Sequence, residues 1–238
     1  SVASRGLGDV YKRQAKGRKT LEDELEDPRA VLHELALCKM TVEVYRRRYP
    51  EVPAMWAAQE KAAIRALKTR KAVKCGVVTW KVVGRYLMCK LPSGRCLHYA
   101  NAELKPTKTA WGEVKPGIRF MGRHQKTKRW SRQATYGGKL TENITQAVAR
   151  DIMCWAKVRL HEDHFQFDVV LDVHDEIIAE LELPAGQEHV EIPRKLKDYP
   201  PFLKDDAETF ERVLADLPAA YDGCPIAAEA RVLRRYRK

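Results

Sequence analysis

Residues 169–180 read VVLDVHDEIIAE, two apolar runs separated by His174, Asp175 and Glu176. A carboxylate at a strand end is a rigidly held hard-oxygen donor, the kind of ligand Mg²⁺ takes one or two of beside substrate phosphates. Asp175 is therefore a candidate metal ligand for phosphoryl or nucleotidyl transfer, with Asp172 or Glu176 as nearby second carboxylates. The same residues also fit a plain tight turn, where an Asp side chain mimics a turn hydrogen bond. A third reading assembles a metal-dependent nuclease from Asp168, Asp172 and Asp175. Against it, Asp168 and Asp172 alternate away from the Phe165, Phe167, Val169, Leu171 and Val173 face, so a wet outer face explains them equally well. His161 and His164 stand at i,i+3 in HEDH, but no second pair supports zinc.

The hairpin that carries the triplet follows a long amphipathic segment, KLTENITQAVARDIMCWAKVRL (139–160). Leu140, Ile144, Ala147, Val148, Ile152, Trp155 and Val158 form its apolar stripe. On the opposite arc stand Lys139, Asn143, Gln146, Arg150 and Lys157, which share one narrow face at about 100° per residue. Every member donates hydrogen bonds and none is acidic. Such a face suits a polyanion: Lys and Arg meet phosphates, and Asn and Gln reach groove edges or sugars. Asp151 falls inside the apolar arc and is expected to pair with a buried donor, a structural role.

Upstream, residues 20–71 read helical. Val31, Leu32, Leu35, Val42 and Tyr45 recur near helical spacing after an Asp27–Pro28 start signal. Pro50 and Pro53 punctuate, and the Ala-rich stretch AMWAAQEKAAIRALKTRKAVK reads as a second helix ending in cations. From residue 77 the β-branched and aromatic content rises, with Gly84 and PSGR as turn signals, which reads as a meander of short strands. Residues 117–138 read as a hairpin around a basic loop. Between 105 and 132 stand nine Lys or Arg and one acid, Glu113, with Trp111, Phe120 and Trp130 interleaved. That pattern fits a surface facing phosphates with aromatic groups packing or stacking, and equally a solvated sheet edge that resists aggregation. DAETFERVLADLPAA reads as a short amphipathic helix after a Pro-rich, charged connection (184–206). The tail RVLRRYRK fits either a phosphate contact or a solvated terminus.

Composition sets the frame. The 238 residues are 45% hydrophobic and 32% charged, with a formal net charge of +12. That suffices for a globular core and suits an acidic polymer partner or a basic solubility surface. No apolar run approaches the roughly 18 residues of a membrane span, and no secretory leader opens the chain. Six cysteines without a C-x-x-C pair point to reduced thiols and a cytoplasmic setting. With Pro92–Arg95 as a loop, Leu91 rather than Cys89 is expected to face Cys96. DVYKRQ (9–14) is similar to a translated transposon-type sequencing adaptor, so residues 1–14 are set aside as a non-native leader.

Taken together, VHDE (173–176), TYGGKLTENITQAVARDIM (135–153), YRRRYPEVPAMW (45–56), LPSGRCLHY (91–99) and the PIAAEARVLRRYRK ending resemble the polymerase domain of family A DNA polymerases, DNA polymerase I type, in their bacteriophage-type branch. VHDE alone is weak; VHDE about 27 residues after Q-A-V-A-R-D, with the ending in place, is specific. The resemblance implies an α+β fold: an antiparallel palm sheet with flanking helices (73–238), preceded by a helical fingers-side segment (15–72), in a truncated domain. It implies that Asp175 is one of two palm aspartates holding Mg²⁺, with His174 and Glu176 beside the primer 3′ end. It implies that Gln146 meets the duplex minor groove, with Asn143, Lys139 and Arg150 along the same face. The implied partners are primer–template DNA and dNTP, and the implied state is a monomer. The first palm aspartate motif, D-Y-S-x-I-E-like, and the nucleotide-binding helix R-x-x-x-K-x-x-x-Y/F-G are not found, so this chain alone is expected not to polymerise. The 184–206 connection is longer than usual for the branch.

Overall fold

The computed structural model describes residues 28–108, 114–187, 189–193 and 195–235. Residues 1–14, Asp27 and Trp111 lie outside them. Two compact units divide between Ala54 and Met55 rather than at the expected 72/73. The reason is that most of the second helix belongs to the core of the unit that follows it.

The first unit holds α1 (Pro28–Arg48), which starts at the expected proline and ends on Arg46, Arg47 and Arg48, cations that suit a helix C-terminus. Residues 36–48 are all exposed, Val42 and Tyr45 included. The side chains of Val31, Leu32 and Leu35 lie outside the described residues. The next helix, α2 (Glu51–Thr69), contains the division, with its first four residues on the near side of it.

In the second unit α2 buries Gln59, Ala62, Ala63 and Ala66, at the i, i+3, i+4, i+7 spacing of one face. Small side chains there let the helix lie close to the sheet beneath. It stops at Thr69: Arg70 takes a left-handed φ of 59°, and Val73 and Lys74, the last residues of the stretch read as helix, lie in a strand. Nothing in the run KTRKAVK marks that stop, since it contains neither glycine nor proline.

Six strands follow: β1 (Val73–Cys75), β2 (Val78–Val83), β3 (Tyr86–Lys90), β4 (Cys96–Lys108), β5 (Val114–Arg123) and β6 (Trp130–Thr135). All are antiparallel and paired in sequence order. Gly84, at φ 56°, opens the two-residue turn between Val83 and Tyr86, a position where a Cβ would be strained. The β3–β4 turn closes one residue earlier than expected. Leu91 N–H donates to Arg95 O at 2.8 Å, so Lys90 faces Cys96 and Cys89 faces Leu97. All six cysteines are free thiols, and burial pushes the Cys89 thiol up to about 12.

One sheet face packs Val78, Trp80, Leu87, Cys89, Tyr99 and Ile118 against α2 and against α3 (Gly137–Asp163). Trp80 is fully buried, and its Nε1–H donates to Gln59 Oε1 at 2.8 Å, which explains a buried glutamine in an alanine face. Helix α3 contributes Leu140, Ile144 and Ala147 to this core. In its second half the buried positions are Ile152, Ala156 and Leu160, while Val158, expected in the stripe, is 45% exposed. The buried arc turns there toward a second, smaller core.

That core joins Leu160 and Phe167 to Val213 and Phe210. It lies between α3, the hairpin β7 (Phe167–Val173) and β8 (Glu176–Leu181), and α4 (Pro201–Ala215). Helix α4 starts five residues before the sequence stretch that signalled it. The connection before it is ordered by a third cluster, in which Tyr199, Leu203 and Ala207 pack with Ile192, Leu196 and Val232. Val232 N–H donates to Tyr199 Oη and Ala230 N–H to Glu211 Oε1, which straps the C-terminal segment along α4.

The glycine pair before α3 has a steric purpose. A Cβ on Gly137 would lie 2.1 Å from the Trp56 carbonyl oxygen, a backbone atom that cannot turn aside. Gly137→Ala is therefore expected to destabilise the fold by about 1–3 kcal/mol, the scale of overpacking. Gly138→Ala, whose nearest neighbour is the edge of the Tyr136 ring at 3.0 Å, should cost less; urea denaturation of both variants checks the order.

Candidate nucleic-acid interface and hairpin site

Val173 faces Glu176 across the β7–β8 turn, so His174 and Asp175 are its two central residues. His174 has φ 54°, a left-handed conformation normally reserved for glycine in such turns. A non-glycine residue held there costs on the order of 1–3 kcal/mol and marks a constrained position. His174, Asp175 and Glu176 are all exposed at the tip.

The hairpin does not keep the alternation expected of it. Val169 pairs with Ala179 and Leu171 with Ile178, which leaves Val170 as an extra residue in a bulge. Phe167 and Val169 face the second core with Ile177, Ala179 and Leu181. Past the bulge the faces exchange. Leu171 is 49% exposed, and Asp172, opposite Ile177, turns to the helix side. Phe165 precedes the strand and is also exposed. Asp168 stays on the far face, opposite Glu180. Asp168 and Asp172 therefore do not converge, which removes the geometry that a nuclease built on Asp168, Asp172 and Asp175 requires.

Asp172 takes up two members of the donor stripe on α3. Arg150 Nη1 donates to its Oδ2 at 2.5 Å and Lys157 Nζ to its Oδ1 at 3.0 Å. The Arg150 guanidinium first, and then Lys157, hold the carboxyl below the usual aspartate range. Asn143 Nδ2 donates to Tyr99 Oη at 3.1 Å, where burial pushes the phenol up to about 12. Lys139 pairs with Glu142 one turn on. Gln146 is exposed. The stripe is thus one face in register but not one free face: Gln146 looks outward, Asn143 is bonded to Tyr99, and the C-terminal half clamps the hairpin. Asp151 accepts from Ser93 Oγ, Arg95 Nε and Tyr221 Oη, at 2.6, 2.6 and 3.2 Å. It ties the β3–β4 turn and the 3₁₀ turn Ala219–Tyr221 to α3, the structural role its position in the apolar arc implied.

Among the described residues no three His, Cys, Asp or Glu side chains gather in a way that could hold a metal ion. Asp175 and Glu176 are adjacent carboxylates at one tip, and Asp172 is neutralised by its two cations. These residues alone do not make a two-ion magnesium site, and the HEDH residues close α3 without forming a metal cluster. No helix among the described residues is long and apolar enough to cross a membrane.

The basic, aromatic stretch 105–132 splits between faces. Phe120 points into the core, edge-on to Tyr99 at 5.1 Å. Trp130 is 64% exposed on the opposite face. Tyr86, 48% exposed on that same face, was not among the candidates; the signal for it was its alternation with Leu87 and Cys89 beside Lys90.

Comparison with known proteins gives one relative of note. Over 198 residues the chain is 32% identical to a DNA polymerase of Bacillus phage SP02, a match that takes in 83% of this chain and 27% of that protein. The chain thus spans about a quarter of the length of the curated relative it matches. No family model matches the chain, and no solved structure matches it.

The Asp172 clamp makes a signed prediction. Because its carboxyl is held low in the fold, its contribution is complete above the unfolded aspartate value of about 3.9 and is lost as pH falls through the lower folded value. At neutral pH Asp172→Asn should raise deuterium uptake across 167–181 and leave β2–β3 unchanged. The difference in thermal midpoint between wild type and variant should close as pH falls below about 4.

Proposed function

We propose that this chain is part of the catalytic domain of a template-directed DNA polymerase of the family A, bacteriophage-type branch. In this reading the six-stranded unit, α3 and the β7–β8 hairpin belong to the palm side, and α1 belongs to the fingers side. The observation that carries the proposal is the tight hairpin that presents His174, Asp175 and Glu176 at its tip and is clamped through Asp172 to the donor face of α3. The 198-residue similarity to a phage DNA polymerase supports it.

The chain's own residues then have distinct tasks. Gln146, with Lys139 outward of it, meets the minor groove and backbone of the primer–template duplex, where contacts check geometry without choosing a base. Asn143 belongs to the same face and is held in position by Tyr99. Arg150 and Lys157 act through Asp172 to fix the hairpin, which is a positioning role. Asp175, exposed at the hairpin tip, would supply one carboxylate to an Mg²⁺ pair, whose charge would favour ionisation of a primer hydroxyl and offset that of the triphosphate. Among the described residues no other carboxylate gathers with Asp175 to complete such a site, and in this reading the chain binds DNA without extending a primer.

The test is direct. The purified chain should bind a primer–template duplex, and Gln146→Ala should weaken that binding about tenfold with no change in thermal midpoint. With Mg²⁺ and all four dNTPs it should give no extension product. In the longer polymerase, Asp175→Asn should abolish extension while duplex binding persists. Robust extension by the 238 residues, or Mg²⁺-dependent cleavage of DNA without nucleotides, would overturn this assignment.

A further inference from the structure

The face of the six-stranded sheet turned away from α2 and α3 is an unusual surface. Val83, Tyr86, Ala100, Met121 and Arg132 are successive partners across five strands, so their side chains share that face. One register step away Arg123 faces Trp130, and on the other side Glu103 faces Arg119. Toward β2 the row Lys81–Met88–His98 continues it, with Lys90 one step further. Lys81, Lys90, Arg119, Arg123 and Arg132 are all exposed. Among the described residues the one acid placed on this face by register is Glu103, and it is bonded to Arg132 at 2.8 Å.

Two large rings stand among these cations. Trp130 is 64% exposed and Tyr86 48%. Tyr86 is oriented by an edge contact with His98, ring centroids 6.1 Å apart. Three strand spacings, about 14 Å, separate the Tyr86 and Arg132 positions. Beyond Trp130 the β5–β6 turn adds Lys126, Lys128 and Arg129, all exposed. That turn is ordered: His124 N–H donates to Arg129 O and Thr127 N–H to His124 Nδ1, and Arg123 Nε donates to Lys128 O.

Charge complementarity selects a polyanion, and the rings select its form. A duplex offers its phosphates outward and keeps its bases stacked on each other. Exposed rings interleaved with cations on an open sheet instead match unpaired bases, which stack on aromatic side chains while the backbone follows the positive charge. A solvated edge that only resists aggregation needs the lysines and arginines but not the exposed Trp and Tyr. We infer that the outer face of this sheet, from Lys81 across Tyr86 to Trp130 and the 124–129 turn, binds single-stranded DNA by stacking. The choice of DNA over RNA rests on the polymerase reading; the stacking does not.

Fluorescence anisotropy with a labelled oligodeoxythymidine of about 20 nucleotides tests this on the full chain. Trp130→Ala should weaken binding about tenfold, the scale of one lost base stack, and Trp130→Phe should restore most of it. Arg119→Gln with Arg123→Gln should lower the slope of log affinity against log salt by about 0.7 for each phosphate contact removed. Circular dichroism melts of each variant should match wild type, since these side chains are exposed. If Trp130→Ala and Tyr86→Ala leave binding within about twofold while Gln146→Ala still weakens duplex binding, the sheet-face assignment fails and the polymerase reading stands. Tighter binding to oligouridine than to oligodeoxythymidine overturns the choice of DNA.

Discussion

The start of α3 is pressed against the backbone of α2, and much of the second unit follows from that contact. Only a glycine fits at residue 137, because any Cβ would overlap the Trp56 carbonyl. The contact fixes where the two helices meet, and so fixes the rotation of α3 about its own axis. From that rotation Leu140, Ile144 and Ala147 close the sheet core, and Leu160 closes the smaller one. The polar face is set by the same rotation. Gln146 is left in solvent, while Arg150 and Lys157 meet Asp172 on the hairpin.

Two aspartates, one on α3 and one on the hairpin, tie the neighbouring elements to that helix. Asp151 draws in Arg95, Ser93 and Tyr221, and Asp172 draws in Arg150 and Lys157. What remains outward is the first part of the helix. A donor-rich stripe that serves nucleic acid at one end and folding at the other is economical, but helical spacing alone cannot show the division. It depends on which strand residue lies opposite.

The elements were legible in the sequence because their signals are local. Proline and glycine mark the ends of α1 and the sheet turns, β-branched residues mark the meander, and the apolar period marks α3. A turn within His174–Glu176 was legible for the same reason, but not that its central pair is His174–Asp175 with Glu176 already in the returning strand. The bulge at Val170 was not, because VVL reads the same whether or not one valine is extra; its effect was to turn Asp172 inward and Leu171 outward. The end of α2 was missed because Arg70 adopts a glycine-like conformation without being glycine. Phe120 and Trp130 share a basic stretch but face opposite ways, a matter of register that composition cannot carry. The Gly-Gly pair was visible, yet its reason lies in a helix some eighty residues upstream.

The strand order also bears on how the chain comes to be folded. Each of the six strands pairs with its immediate neighbour in sequence, so the pairing is short-range and carries little of the loop-closure cost that slows β-rich proteins. During synthesis the meander has all its partners once residue 135 has emerged. Its apolar face does not, since Leu140, Ile144 and Ala147 come later. Between those two moments the nascent sheet is paired but covered only by α2. The brief spacing between Thr135 and Gly137, one residue of connection, keeps that interval short.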